Sequence, residues 1–157
     1  MNVWYVNSIL GTFRLEEEDN AICGLALCPD GVPELEPLPR KVCETPLLQE
    51  AEEQLNEYFA GARREFDLPL APKGTPFQKA VWAEMCRIPY GETRTYGQLA
   101  AAIGRPSACR AVGGACHCNP IAILQPCHRV VGSTGKLTGY AYGVEMKQYL
   151  LELERQE

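Results

Sequence analysis

The sequence predicts an α/β chain of two small parts, an α+β unit followed by a mainly helical unit with a helix-turn-helix. Three observations predict it. Short strand-like runs fill the first 30 residues, a proline-rich stretch interrupts the middle of the chain, and two short helical patterns separated by Gly104-Arg105-Pro106 follow. Residues 1–68 are assigned to the first domain, 69–76 to a linker and 77–157 to the second domain.

In chain order, Val3 to Ile9, Gly11 to Leu15 and Ala21 to Leu27 read as strands, punctuated by Glu16 to Asn20 and by Pro29-Asp30-Gly31. Pro33 to Pro39 reads as loop. Thr45 is placed to cap a helix with Pro46 at its first position, Leu48, Ala51, Leu55 and Phe59 on one apolar face, and Gly61 as its stop. Past the linker, Phe77, Val81, Trp82 and Met85 mark an amphipathic helix ending before Pro89-Tyr90-Gly91.

Thr95-Tyr96-Gly97-Gln98 fits a capping box, opening a helix through Leu99 and Ile103 that Gly104 ends. Ser107 is placed to cap the next helix, with Ala108, Ala111, Val112 and Ala115 as its buried face. Spacing from Arg110 puts Gly113, Gly114 and His117 on another face. Each interior glycine costs about 1 kcal/mol relative to alanine, so this bare face needs a reason. Tight packing against a neighbouring element and insertion into a nucleic-acid groove are equally good ones.

Ile121 to Leu124 has strand-like composition and leads to Gln125-Pro126-Cys127-His128-Arg129-Val130-Val131, then to a turn at Gly132-Ser133-Thr134-Gly135. Pro126 fixes its own φ, so Cys127 and His128 leave the chain at a defined angle. A thiol beside an imidazole is the arrangement of an activated thiolate. Taken alone, the dipeptide better describes a buried structural cysteine next to a solvated histidine, and it is the surrounding motifs that favour the activated thiolate. Thr138 to Gly143 reads as a glycine-flanked loop, and the last helix carries Met146, Tyr149, Leu150 and Leu153 at helical spacing with Glu154 near its end.

Composition narrows the function classes. The chain has 157 residues, 46% hydrophobic and 22% charged, the profile of a globular protein, with no apolar run long enough to span a bilayer and no basic-then-apolar N-terminus. The expected location is cytoplasmic, without membrane association. Eight cysteines in such a chain are expected to be reduced, and Cys116-His117-Cys118 lacks the spacing of paired zinc ligands, so no metal is expected. Residues 1–73 hold 6 Lys+Arg and 14 Asp+Glu, net −8, whereas residues 74–157 hold 9 and 6, net +3. The asymmetry points to an anionic partner for the second half.

From Gly74-Thr75-Pro76-Phe77 to Glu154 the chain resembles the O6-alkylguanine-DNA alkyltransferases (methylated-DNA–protein-cysteine methyltransferases). The segments that carry the resemblance are Tyr96-Gly97-Gln98-Leu99-Ala100, Arg110-Ala111-Val112-Gly113, Asn119-Pro120 and Pro126-Cys127-His128-Arg129-Val130, in order over about half the chain. The resemblance implies an RNase H-like N-terminal domain followed by a winged helix-turn-helix domain. It implies direct-reversal DNA repair, with the damaged guanine of double-stranded DNA flipped from the minor groove to Cys127, by a monomer that uses no cofactor and reacts once.

Carried onto this sequence, Cys127 accepts the alkyl group and His128 is its base, acting through water. Glu154 orients His128, Asn119 holds the turn, and Tyr96 assists base rotation and protonation. Arg110 fills the gap left by the flipped base. Arg110, Ala111, Gly113, Gly114, Tyr96, Arg129 and Ser133 form the DNA surface, and Pro126, Val130, Tyr140, Ala141 and Tyr142 the substrate pocket. Tyr142 stands where family members commonly have glycine, which implies a narrower pocket. Cys116, His117 and Cys118 also depart from the family pattern, and the two cysteines are expected to be packing residues. The alternatives are an alkyltransferase-like protein that binds lesions without repair, which usually has tryptophan in place of the acceptor cysteine, a thiol-sensing winged-helix regulator, and a cysteine hydrolase.

Overall fold

The computed structural model describes residues 1–36, 40–137 and 140–155. The chain divides into two compact units, Met1–Pro72 and Lys73–Glu157. Among the described residues no helix is long and apolar enough to cross a membrane.

In the first unit, β1 (Asn2–Ser8), β2 (Gly11–Glu18), β3 (Ala21–Cys28) and the short β4 (Lys41–Val42) form a sheet of order β3-β2-β1-β4. β1 and β2 are antiparallel, as are β2 and β3, while β4 runs parallel to β1. β2 continues through Glu16–Glu18, beyond the end expected at Leu15. Strand alternation turns Glu17 inward, where Asn2 Nδ2 and Thr45 Oγ1 donate to its carboxylate at 3.0 and 2.7 Å, so an acidic run that reads as a break stays in the strand. The chain reverses at Asp19-Asn20, both with positive φ (53° and 61°), which these two residue types tolerate in a two-residue hairpin. β4 was not foreseen, since two residues carry no periodicity. Of the loop expected over 33–39, residues 37–39 lie outside the described residues.

One helix, α1 (Pro46–Phe59), covers the sheet. Thr45 caps it by accepting from Leu48 N at 3.1 Å, with Pro46 following in the first turn. Its buried face is Leu48, Ala51, Leu55 and Tyr58. Tyr58 takes the place expected of Phe59, whose half-buried ring stacks on Phe13 at 6.2 Å. Residues 69–71 lie along β3, with Ile22 N donating to Pro69 O and Ala71 N to Ile22 O, both at 2.8 Å.

The second unit contains α2 (Pro76–Met85), β5 (Arg94–Thr95), α3 (Tyr96–Ala102), α4 (Cys109–His117), a 3-10 turn over Cys127–Arg129, β6 (Val130–Val131) and α5 (Val144–Arg155). Capping boxes open both α2 (Thr75 with Gln78) and α3 (Thr95 with Gln98). The helix-turn-helix is α3 and α4, joined through Gly104, whose φ of 77° requires glycine. β5 and β6 pair in parallel, Arg94 with Val130 and Thr95 with Val131, tying the start of α3 to the segment after Cys127.

Three expectations are corrected here. Ser107 does not cap α4: residues 105–108 close their own turn, Ala108 N donating to Arg105 O at 2.9 Å, and the helix starts later with Ala108 at its cap and no side-chain bond. The buried face of α4 is Val112, Ala115 and Cys116, whereas Ala108 is half-buried and Ala111 exposed. Ile121 to Leu124 is buried but forms turns rather than a strand, with Leu124 N on Ala122 O (2.7 Å) and Gln125 N on Ile121 O (3.0 Å). Apolar composition reports burial there, not backbone type.

Trp82 anchors the core of this unit: it is buried and donates Nε1–H to Ala115 O on α4 at 2.8 Å. Gly74 lies against the same ring, where a Cβ would come within 2.5 Å of Trp82 Cη2. Gly74→Ala is therefore expected to lower unfolding free energy by about 1–3 kcal/mol, the usual cost of overpacking. Urea denaturation measures it, and a loss below about 0.5 kcal/mol contradicts this packing.

Candidate active site

The site begins with a carboxamide. Asn119, just after α4, accepts at Oδ1 from Ile121 N (3.1 Å) and Gln125 Nε2 (2.7 Å) and donates Nδ2–H to Gln125 O (2.8 Å). These bonds fasten a tight buried loop in which Ile123 has a φ of 68°. A β-branched residue holds that conformation only when its surroundings dictate it. The same Nδ2 lies 3.2 Å from Cys127 Sγ, so the group that shapes the loop also donates to the sulfur. Cys127 opens the 3-10 turn and is 6% exposed.

The next two residues of that turn share one acid. His128 Nε2 lies 2.6 Å from Glu154 Oε2, Arg129 Nε donates to Oε1 at 2.7 Å and Arg129 Nη2 to Oε2 at 3.0 Å, with all three side chains buried. Arg129 Nη1 also donates to Ile88 O at 2.7 Å, and Gly91 N to Glu154 Oε1 at 3.4 Å. Burial would raise the Glu154 carboxyl, but the bonds from His128 and Arg129 outweigh it and hold it down at about 2. An ionised carboxylate only accepts, so His128 Nε2 carries the proton. Burial keeps the imidazole neutral by lowering its pKa, against the pull of Glu154. Its lone pair is then on Nδ1, which is buried and has no hydrogen-bond partner among the described residues.

Around the sulfur, burial pushes the Cys127 thiol up, while the Asn119 hydrogen bond and the nearby Lys147 charge pull it back. Among the described residues the buried Tyr140 hydroxyl makes no hydrogen bond of ordinary geometry, yet it is close enough to interact with the sulfur; burial, then Cys127, raise its own pKa. Tyr142 meets the Tyr140 ring edge-on at 5.8 Å, and Ala141 between them is exposed. Pro126 and Val130 are buried on either side of the turn. Thr138 and Gly139, which open the expected glycine-flanked loop, lie outside the described residues.

The bare face of α4 is open. Arg110, Ala111 and Gly114 are exposed, a Cβ on Gly114 would meet nothing within 4 Å, and one on Gly113 only the Tyr96 ring at 4.0 Å. Packing against a neighbour therefore does not account for these glycines. Ser133 is exposed on its turn. Tyr96, half-buried at the start of α3, links this face to the interior, since its ring also lies 5.8 Å from Lys147 Nζ.

Arg129, expected at the DNA surface, is corrected to an interior role: it is 7% exposed and committed to Glu154 and Ile88. Cys118 is exposed rather than packed, while Cys116 is buried 3.6 Å from Met85 Sδ. None of the eight cysteines is in a disulfide, and the described residues hold no cluster of three or more His, Cys, Asp or Glu able to hold a metal. A cavity of about 250 Å3 bordered by Arg94, Gln98, Leu99 and Ile88 is lined by neither Cys127 nor His128 and meets the site only at Ile88, whose carbonyl accepts from Arg129. Lys147 was missed from the sequence. It sits seven residues before Glu154 and three before Leu150, on the face of α5 that carries both, and that spacing could have found it.

A buried cysteine, a neutral histidine held by an ionised acid, and a helix-turn-helix with an open glycine face define a thiol-bearing nucleic-acid-binding protein. The pattern described as 6-O-methylguanine DNA methyltransferase, ribonuclease-like domain, matches residues 3–72, and the DNA-binding domain of the same name matches residues 76–156. A methylated-DNA–protein-cysteine methyltransferase of Methanosarcina barkeri is 61% identical over 106 residues, 68% of this chain and 67% of that protein. The constitutive enzyme of Bacillus subtilis is 57% identical over 113 residues, 71% of this chain and 68% of that one. The Mycobacterium tuberculosis OGT crystallised with DNA superposes with a TM-score of 0.89 at 42% identity, covering 99% of this chain and 93% of that one. The chain belongs to the methylated-DNA–protein-cysteine methyltransferase family.

Because Glu154 is held low, its contribution to folding is complete above the ordinary value of 4.5 and is lost as pH falls toward about 2. His128, held neutral, acts in the same direction below its ordinary 6.5, since only the unfolded chain then gains the proton. Stability is therefore expected to fall steadily on acidification from pH 6.5. Glu154→Ala, which strands the buried Arg129 charge, is expected to cost about 3–5 kcal/mol at pH 7 and to flatten this acid dependence. Chemical denaturation at stepped pH checks both, and an unchanged slope in the variant contradicts the assignment.

Proposed function

We propose that this chain carries out direct-reversal DNA repair, with Cys127 taking the alkyl group from O6 of a guanine in DNA. The observation that carries the reading is the linkage of Asn119, Cys127, His128 and Glu154 through one 3-10 turn and the last helix. Alkyl transfer from oxygen needs a soft nucleophile on saturated carbon, which a thiolate supplies. His128 takes the thiol proton at Nδ1 through a bridging water, and the imidazolium so formed is stabilised by Glu154. The Sγ–C bond forms as the C–O6 bond breaks. The electron pair passes to the guanine, which takes a proton from the Tyr96 hydroxyl, and the His128 imidazolium then returns a proton through solvent to the tyrosinate, leaving both side chains neutral.

The product is a thioether, which water does not readily cleave, so each molecule reacts once. No cofactor enters these steps. The open face of α4 supports binding of double-stranded DNA in the minor groove, with the backbone at Gly113 and Gly114 approaching closely and Arg110 replacing the flipped base. Tyr140 and Tyr142 border the pocket, and the Tyr142 ring limits the alkyl groups that fit. A lesion-binding protein without repair activity has no use for a cysteine held by Asn119, and a hydrolase would turn over repeatedly.

An oligonucleotide with one O6-methylguanine is expected to add a single methyl mass to the protein and none to Cys127→Ser, which still binds DNA. Intact-mass spectrometry reads this, and an equal gain in the variant refutes the acceptor assignment. Arg110→Ala is expected to slow transfer from duplex DNA by about tenfold, equivalent to ~1.4 kcal/mol of flipping cost. Its reaction with the free base O6-methylguanine should be unchanged; equal slowing of both removes Arg110 from base flipping.

A further inference from the structure

Cys116 has no part in the repair scheme above. It lies on the buried face of α4, 6% exposed, with its sulfur 3.6 Å from Met85 Sδ on α2. Asn119 ties it to the site: the backbone N–H donates to Cys116 O at 3.3 Å, and the carboxamide donates to Cys127 Sγ at 3.2 Å. α2 packs against both α4 and the 3-10 turn, so the elements bearing the two cysteines meet at the same helix. The two thiols also interact electrostatically, and Lys147 acts on both. Cys118, at the end of α4, is exposed instead.

An acceptor that reacts once is wasted by any other loss of its sulfur. The hydrogen bond and the charge that favour the Cys127 anion also favour its attack on peroxides. A sulfenic acid left alone proceeds to sulfinic acid, which thiols do not reverse, whereas a neighbouring thiol intercepts it as a disulfide. We propose that Cys116 is the resolving thiol of Cys127, closing a reversible disulfide that stores the acceptor sulfur when hydrogen peroxide is present. The Cys127 thiolate attacks one peroxide oxygen; the S–O bond forms as the O–O bond breaks, and hydroxide leaves. Cys116 then attacks the Cys127 sulfur, the S–S bond forms as the S–O bond breaks, and the oxygen leaves as water with the Cys116 proton. Two thiols are oxidised and one peroxide is reduced. Burial, then the Cys127 charge, push Cys116 up to about 12, while Lys147 pulls it back. A neutral sulfenic acid removes the Cys127 charge and leaves Lys147 acting on Cys116. The resolving thiol therefore ionises more easily once its partner is oxidised.

The benefit to the protein rests on Cys127 being the acceptor, but the bond itself is read without DNA, so the two readings fail separately. Trypsin releases residues 111–129 as one peptide carrying Cys116, Cys118 and Cys127. After peroxide treatment, free thiols are blocked with iodoacetamide in denaturant, disulfides are reduced with dithiothreitol, and the thiols so released are labelled with N-ethylmaleimide. Fragmentation of the peptide is expected to place maleimide on Cys116 and Cys127 and the iodoacetamide label on Cys118. Dithiothreitol is expected to restore about tenfold more O6-methylguanine transfer to the oxidised parent than to oxidised Cys116→Ser or Cys116→Ala, whose Cys127 should carry sulfinic acid. Maleimide on Cys118 in place of Cys116 overturns the proposal, as does a parent in which Cys127 is irreversibly oxidised while Cys116 stays free. Equal recovery by the parent and both variants overturns it too.

Discussion

One buried carboxylate organises the second unit. Glu154 receives hydrogen bonds from His128, Arg129 and the backbone of Gly91, and so joins α5 to the turn bearing Cys127 and to the chain before β5. An acid in an apolar interior ordinarily neutralises itself. Here two donors from consecutive residues keep it charged, and that charge sets which imidazole nitrogen is free. Arg129 satisfies both carboxylate oxygens and the Ile88 carbonyl, so the Glu154 charge is matched before any substrate arrives. Stability and reactivity share this cluster.

The sulfur is held by a second polar element that meets the first only at the turn. Asn119 spends its carboxamide on Ile121 N, Gln125 and the Cys127 sulfur, bracing an unfavourable φ at Ile123. Asparagine can do this because one planar group both donates and accepts. The result is a thiol of low exposure whose neighbours all favour its anion, against a burial that favours the acid. Such a balance suits a protein that must leave its thiol unreacted in the cell and ionise it only when a substrate is seated.

Much of this was legible in the sequence, for identifiable reasons. Capping boxes are short-range devices, so Thr95 with Gln98 and Thr45 with Pro46 were visible as local patterns. Cys127, His128, Asn119 and Glu154 were assigned through family resemblance, and their meeting in one site depends on α5 returning to the turn, which no local rule encodes. The misread features are those in which tertiary contact overrides pattern. The Glu16–Glu18 run stays in β2 because Asn2 and Thr45 reach the inward Glu17. Ile121 to Leu124 is apolar but irregular because Asn119 brackets it, accepting from Ile121 N and donating to Gln125 O, while the run closes its own turns. Arg129 looked like a DNA contact until its acid was in view, and Lys147 was invisible because lysines are taken to be exposed.

The chemistry proposed for Cys127 turns on the proton of His128 residing on Nε2, toward Glu154, with Nδ1 left as the base. With only two histidines in the chain, long-range 15N–1H correlation spectra can assign the tautomer directly. The prediction is a neutral His128 protonated at Nε2 at pH 8, with a free, unprotonated Nδ1. A neutral ring protonated at Nδ1, or an imidazolium persisting at pH 8, would contradict it.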